Sequence, residues 1–248
     1  MGDPAAHAAE PTGLGPDDVT HPHPPSPCGF GLRSRPKLGG GGPATALEAG
    51  RILFAGECRF VRAVQSIEAL PPVGLAEVAF AGRSNVGKSS LLNALTGRHA
   101  LARVSGMPGR TQQLVFFDLS GRLMLVDLPG YGYAQAPKSV QADWQGLMFD
   151  YLRGRPNLRR VMLLLDARVE VKASDAAAME ILDRAAVTFQ LVLTKADGVP
   201  PTALAAKERE ASKLARAHSA AHPEVVSTSS MTGLGLAELR AALADLAE

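Results

Sequence analysis

The chain has 248 residues, a formal net charge of +2, 46% hydrophobic and 20% charged residues, and two cysteines. That is long enough for one ordinary domain with a substantial core plus an appendage. Two cysteines make no disulfide framework and no apolar run reaches membrane-spanning length, so no membrane insertion is expected, and reduced thiols point to a cytoplasmic protein.

The first fifty residues hold ten Gly and nine Pro, including His21-Pro22-His23-Pro24-Pro25 and Gly39-Gly40-Gly41-Gly42. Such a composition buries too little apolar surface to offset chain entropy. Residues 1–50 are therefore expected to form a disordered extension, with the folded domain over 51–248. No positively charged start precedes an apolar core, so no secretory leader is expected. Residues 33–62 carry six basic side chains against two acidic ones, a local excess of four. This segment could touch RNA phosphates or serve as a solvated linker.

Phe60 to Val64 alternates in the strand manner, and Pro71-Pro72 closes the following connection. Glu77 to Ala81 reads as a strand feeding Gly82-Arg83-Ser84-Asn85-Val86-Gly87-Lys88-Ser89, with Lys88 to Leu95 as the helix behind it. The loop fits G-x-x-x-x-G-K-[ST], the phosphate-cradling pattern. Its glycines let successive N–H groups turn toward one anion, and the helix adds its N-terminal dipole. Lys88 reaches the outer phosphates and Ser89 can ligate Mg²⁺.

Thr96 to Thr111 is polar and aperiodic and reads as a mobile loop. Gln113 to Leu119 and Arg122 to Val126 form a hairpin around Ser120-Gly121. Asp127-Leu128-Pro129-Gly130 follows, forty-five residues after Gly82. A carboxylate at a strand end, aimed at a Mg²⁺ shell, and a glycine N–H for a γ-phosphate are the expected second element of a nucleotide triphosphatase. A helical pattern then runs through Trp144, Leu147, Met148, Tyr151 and Leu152 and is read as packing. Arg160 to Asp166 and Val187 to Leu193 are continuous apolar runs, typical of strands covered on both faces. Ser174 to Arg184 and Pro201 to Ala217 are helical, Glu224 to Ser227 is a last strand, and Leu236, Leu239, Leu243 and Leu246 share one helix face. His99, His218 and His222 lack ligand spacing and are expected at the surface.

Strands alternating with helices imply an α/β fold of three layers: a mostly parallel six-stranded sheet with one antiparallel strand and helices on both faces. Ligands sit at the strand C-terminal ends of such sheets, where all the motifs fall. Thr194-Lys195-Ala196-Asp197 indicates which base is bound. The Asp197 carboxylate can accept from guanine N1–H and the N2 amine together, whereas adenine would leave it partly unpaired. Sites built on such bonds reject the wrong partner by ~10⁴-fold in good cases. Lys195 would lie beside the base, and the Ser230 N–H of Thr228-Ser229-Ser230 could meet guanine O6.

Gly-Arg-Ser-Asn-Val-Gly-Lys-Ser-Ser-Leu-Leu-Asn (82–93), Pro-Gly-Arg-Thr-Gln (108–112), Asp-Leu-Pro-Gly-Tyr-Gly-Tyr-Ala (127–134), Asp-Ala-Arg (166–168), Thr-Lys-Ala-Asp (194–197) and Ser-Thr-Ser-Ser (227–230) resemble EngB, the YihA/YsxC group of small bacterial GTPases in the Era-like class. The resemblance covers about residues 58–247. It implies a P-loop GTPase domain with Thr111 as the switch threonine completing the Mg²⁺ shell. It extends the nucleotide contacts to Gly109, Arg110, Gln112 and Gln113, and gives Lys88, Thr111 and Gly130 the catalytic roles. It also implies a part in large ribosomal subunit assembly, with precursor rRNA and ribosomal proteins as partners, and a link to cell division and septation. A monomer is expected.

The mechanism expected is in-line attack of water on the γ-phosphate of GTP, giving GDP. Ser89 and Thr111 would ligate Mg²⁺ directly and Asp127 through a water. Tyr131 stands where Ras-like GTPases carry a water-orienting Gln, so intrinsic turnover is expected at or below the order of 10⁻³ s⁻¹, with stimulation by a partner. Asn85 could hold K⁺ beside the phosphates, as in relatives with Gly-x-x-Asn in this loop, or only shape the loop. The competing reading is a septal protein-binding module regulated by GTP with negligible hydrolysis. A small-molecule kinase is disfavoured by Asp197.

Overall fold

In a computed structural model, residues 42–98, 101, 113–131 and 138–247 are described, with the backbone alone for residues 43 and 138–145. Gly109, Arg110, Thr111 and Gln112 lie outside the described residues, as does the side chain of Trp144.

Among the described residues, strands β1 (Cys58–Val64), β2 (Ala76–Gly82), β3 (Leu114–Leu119), β4 (Leu123–Asp127), β5 (Leu158–Asp166), β6 (Phe189–Thr194) and β7 (Val226–Ser227) form one sheet in the order β1-β3-β4-β2-β5-β6-β7. Only β3 runs against the others: it pairs antiparallel with both β1 and β4, while β2, β4, β5, β6 and β7 pair in parallel. The sheet has one strand more than the six expected. Cys58–Val64 occupies the free edge of β3, with Phe60 edge-on to Phe117 at 6.2 Å between ring centroids and a register slip between Phe60 and Arg62.

Side-chain alternation along the strands fills two cores, one on each face of the sheet. On β2, Val78 and Phe80 point into a cluster with Leu53, Leu92, Leu95, Leu239 and Leu243, while Ala79 and Ala81 join Tyr151, Leu152, Met179, Leu182 and Ala211. The first face is covered by helices α1 (Pro43–Ala55), α2 (Lys88–Thr96) and α6 (Leu236–Asp245). The second is covered by α3 (Lys138–Gly154), α4 (Ala173–Arg184) and α5 (Pro201–Ala217).

Two details depart from the sequence reading. Helix α1 begins at Pro43, eight residues ahead of the expected domain start, and Ala49, Leu53 and Phe54 on it are buried. Proline at its first position and the close approach of Gly50 to α6 set it there: a Cβ on Gly50 would lie 2.6 Å from Ala241 N and Arg240 C. His218 is partly buried rather than at the surface, its Nδ1 2.6 Å from Asp183 Oδ2 and its ring against Phe189. Cys58 is buried in the first core, and burial pushes its thiol up to about 11.

Candidate functional site

The site assembles where β2, β4, β5, β6 and β7 all end on one side of the sheet. β2 lies between β4 and β5; the connection from β2 runs through α2 over one face to β3 and that from β4 through α3 over the other to β5, so they diverge there, which is where ligands sit in open parallel sheets. β2 delivers Gly82 against Leu164, and a Cβ on Gly82 would meet the Val86 side chain at 2.8 Å. The loop turns through Asn85 at φ +66° and Gly87 at φ +106°, both left-handed, before α2 starts at Lys88. Such curvature is available to Gly, and to Asn among larger residues. Leu91, Leu92 and Leu95 bury the opposite face of α2 and fix its N-terminus beneath the loop. Val86 is buried, whereas Asn85 and Ser89 are exposed.

β4 ends at Asp127, which is 3% exposed, and the Lys88 ammonium is paired with its Oδ1. The chain beyond it is zipped onto the phosphate loop. Tyr131 N donates to Gly82 O at 3.2 Å, and Ser84 N donates to Tyr131 O at 3.1 Å. Leu128 is buried and Pro129 partly so. Gly130 lies against Ser84 with no space for a Cβ, which would come within 3.0 Å of Ser84 Oγ and 3.1 Å of Ser84 N. Tyr131 is buried, and its hydroxyl donates to Asp175 Oδ1 at 3.0 Å, while Lys172 N donates to Asp175 Oδ2 at 2.9 Å. Arg83 Nη1 lies 3.9 Å from the same carboxylate. Burial, then the Asp175 charge, raises the Tyr131 phenol far above its ordinary pKa, so it stays protonated.

β6 ends at Thr194, whose buried hydroxyl donates to Val86 O at 2.7 Å. Lys195 adopts φ +57°, and its Nζ donates to Asn85 O at 2.6 Å and to Asp166 Oδ2 at 2.9 Å. Ala196 N donates to Thr228 O at 3.0 Å, joining the β6 and β7 ends, and Asp197 is left exposed. After β7, Thr228 is held by Leu193 O. Ser229 Oγ accepts from Met231 N and Thr232 N at 3.1 Å each, and Ser230 is partly exposed beside that turn. Gln113 is partly exposed just before β3. The structure therefore brings Gly82–Ser89, Asp127–Gly130, Thr194–Asp197 and Thr228–Ser230 to one end of the sheet.

Sequence reasoning gave no role to Asp166, Arg168 or Asp175. A carboxylate ending a buried strand, the same signal that singled out Asp127, marks Asp166 as well. A cavity of about 280 Å³ lies beside the loop, lined by Arg83, Asn85, Asp166, Asp175, Lys195 and Lys207 among others. Ser84, Asn85 and Val86 of the loop line it, whereas Gly87, Lys88, Ser89 and Asp197 do not.

A three-layer α/β sheet with G-x-x-x-x-G-K-S between its central strand and the next helix is the fold of the P-loop nucleotide triphosphatases. Residues 77–195 match a family model described as "50S ribosome-binding GTPase". The chain is 68% identical to the probable GTP-binding protein EngB of Granulibacter bethesdensis, over 83% of this chain and 92% of that protein. It is 64% identical to the protein of the same name from Gluconobacter oxydans, over 83% and 92%. A crystal structure of a probable GTP-binding protein engB shares the fold at TM-score 0.52 and 22% identity, covering 69% of this chain and 98% of that one. Era in complex with MgGDPNP and nucleotides 1506–1542 of 16S ribosomal RNA does so at TM-score 0.52 and 20% identity, covering 71% and 57%. The chain belongs to the EngB family of GTPases.

Proposed function

We propose that this protein is a guanine-nucleotide switch that binds GTP and GDP and hydrolyses GTP slowly unless a partner stimulates it. We further propose that it acts in the cytoplasm, as a monomer, in large ribosomal subunit assembly, and that normal division and septation depend on it. The observation that carries the nucleotide reading is the Lys195 ammonium on Asn85 O, 2.6 Å away. One cation ties the base-reading segment to the phosphate loop, so both ends of a single nucleoside phosphate are served at one place. The ribosomal part is supported by family membership and by the description of the matched family model. Among the described residues no helix is long and apolar enough to cross a membrane.

In this reading Lys88 and the amides of Asn85 and Gly87–Ser89 hold the phosphates, and Asp197, Lys195 and Ser230 hold the base. Ser89 and Thr111 would ligate Mg²⁺ directly and Asp127 through a water, all of them hard oxygen donors that suit the ion. Among the described residues no three His, Cys, Asp or Glu side chains cluster, so the ion would share its shell with phosphate oxygens and water, as Mg²⁺ ordinarily does. Held by these residues, Mg²⁺ would supply positive charge that offsets the charge of the phosphates. Gly130 packs against the loop and reads the γ-phosphate position. Tyr131 supports slow turnover, because its phenol is committed to Asp175 and cannot offer the donor and acceptor pair of an amide. The exposed Asn85 side chain is proposed to hold K⁺.

Calorimetry on the full chain tests the core of the proposal. GDP and GTP are expected to bind, and ADP at least ~10³-fold more weakly. Absence of binding by both guanine nucleotides overturns it. Turnover of the isolated protein is expected at or below the order of 10⁻³ s⁻¹, and a value above about 1 s⁻¹ contradicts the slow-switch reading. Equal rates in potassium and sodium at matched ionic strength remove the K⁺ role. Depletion should accumulate large-subunit precursors, rescued by wild type and not by Lys88→Ala. The commitment of Tyr131 also favours a second reading, a septal binding module with negligible hydrolysis. Normal subunit profiles alongside a septation defect would select it.

A further inference from the structure

Asp166 ends β5 between the strands that carry the phosphate loop and the base-reading segment, and the nucleotide reading gives it no task. Both its oxygens are fully engaged. Oδ1 accepts from Arg168 N and Arg168 Nε, each at 3.0 Å, and Oδ2 accepts from Arg168 Nη2 and Lys195 Nζ, each at 2.9 Å. The Asp166 side chain is 13% exposed; the Lys195 bond is partly buried, whereas the Arg168 bonds lie at the surface. The Lys195 ammonium is thereby held between a carboxylate and Asn85 O. Lys195 itself sits at φ +57°, a region that non-glycine residues avoid unless their surroundings enforce it. The second arm of the carboxylate reaches the far end of the same turn. The Arg168 stem covers Gly198, where a Cβ would lie 2.9 Å from Arg168 Cδ, and Arg168 interacts electrostatically with Asp197.

We propose that Asp166 is a positioning residue for purine recognition, acting through Lys195 on one side and Arg168 on the other to preform the Thr194–Gly198 turn before nucleotide arrives. The inference rests on the guanine-nucleotide reading given above. Preforming the turn lowers the ordering cost of binding, so its loss appears in nucleotide release. Asp197 discriminates among bases by its hydrogen bonds. Asp166 fixes the platform on which any purine lies, so the two residues differ in what they do to a base lacking the 2-amino group.

The test is titration of the full chain with GDP and with IDP, which lacks that amine. Asp166→Asn is expected to weaken both by about tenfold, leaving their ratio unchanged, whereas Asp197→Asn weakens GDP more than IDP. Added to Lys195→Ala, Asp166→Asn should cost no more than about threefold more, the share carried by the Arg168 arm, because the rest of its effect runs through that ammonium. Unaltered GDP affinity in Asp166→Asn overturns the proposal. So does a loss confined to GDP, or a full tenfold loss in the Lys195→Ala background. If Asp166→Asn does not fold, Arg168→Ala tests the other arm, since its side chain is half-exposed. GDP release there should quicken by about threefold, and unchanged release overturns the brace. Failure of wild type to bind either nucleotide is seen in the first titration and strikes the nucleotide reading itself.

Discussion

An added methyl group on Gly130 would lie 3.0 to 3.2 Å from Ser84 Oγ, N and Cα, two of them backbone atoms that cannot swing aside. Gly130→Ala therefore requires a shift of a few tenths of an ångström between the phosphate loop and the segment after Asp127. Single-turnover hydrolysis of GTP is expected to fall by about tenfold, less than the ~10²-fold that a 1 Å misplacement costs, while GDP affinity changes little. The Asp166 carboxylate gives a pH prediction. Burial pushes it up, but the hydrogen bonds from Arg168 and Lys195 outweigh that and bring it down to about 2. A folded value below the unfolded one, about 3.9, means that its stabilisation is complete above that pH and is lost as pH falls toward 2. The gap in urea midpoint between wild type and Asp166→Asn should be constant from neutral pH down to about pH 5 and should narrow below about pH 4. Lys88, Ser89 and Asp197 were legible in the sequence because each sits in a short run whose backbone geometry is local. The Lys195–Asp166 and Tyr131–Asp175 bonds were not, since they join residues 29 and 44 positions apart.

Helix α1 shows what local reading misses among elements. It has no side-chain cap and no acidic residue in its first turn, and it follows a run of glycines. A mid-helix glycine costs about 1 kcal/mol relative to alanine. At Gly50 the absent side chain is what lets α1 and α6 touch backbone to backbone. Gly50→Ala would gain propensity yet force the helices apart, and a net loss of about 1–3 kcal/mol is expected in urea denaturation. A neutral or stabilising result would mean that α6 yields. Strand β1 is the parallel case. Its alternation was visible, but only its partnership with β3 places it in the sheet, and most of its side chains remain exposed. The other helices and strands fell within a few residues of their sequence positions, because alternation and helical period each reflect one buried face.

At the scale of the whole molecule, the end of the sheet opposite the site is held by charge. Glu77, 1% exposed at the start of β2, accepts from Arg155 Nε at 2.9 Å, from Tyr151 Oη at 2.9 Å and from Asn157 Nδ2 at 3.1 Å, and is paired with Arg155 Nη2. Arg155→Ala strands that carboxylate in the interior and should cost about 3–5 kcal/mol. Since domains of this size are stable by only about 5–15 kcal/mol, a thermal midpoint lowered by many degrees is the expected readout, and a shift within error would show that Tyr151 and Asn157 suffice. The three-layer class was readable because the motifs follow alternating apolar strands. This stabilising cluster was not, since nothing local links Glu77 to a position 78 residues later.

The sheltered thiol of Cys58 has a practical use. Buried and pushed up to about 11, it should ignore maleimide dyes at neutral pH until the protein unfolds. With Cys28 replaced by serine, a cysteine introduced at Met231, which is 86% exposed one residue beyond Ser230, would carry the only reactive sulfur. A fluorophore there could report nucleotide arrival and departure in real time, with the native buried sulfur left in place.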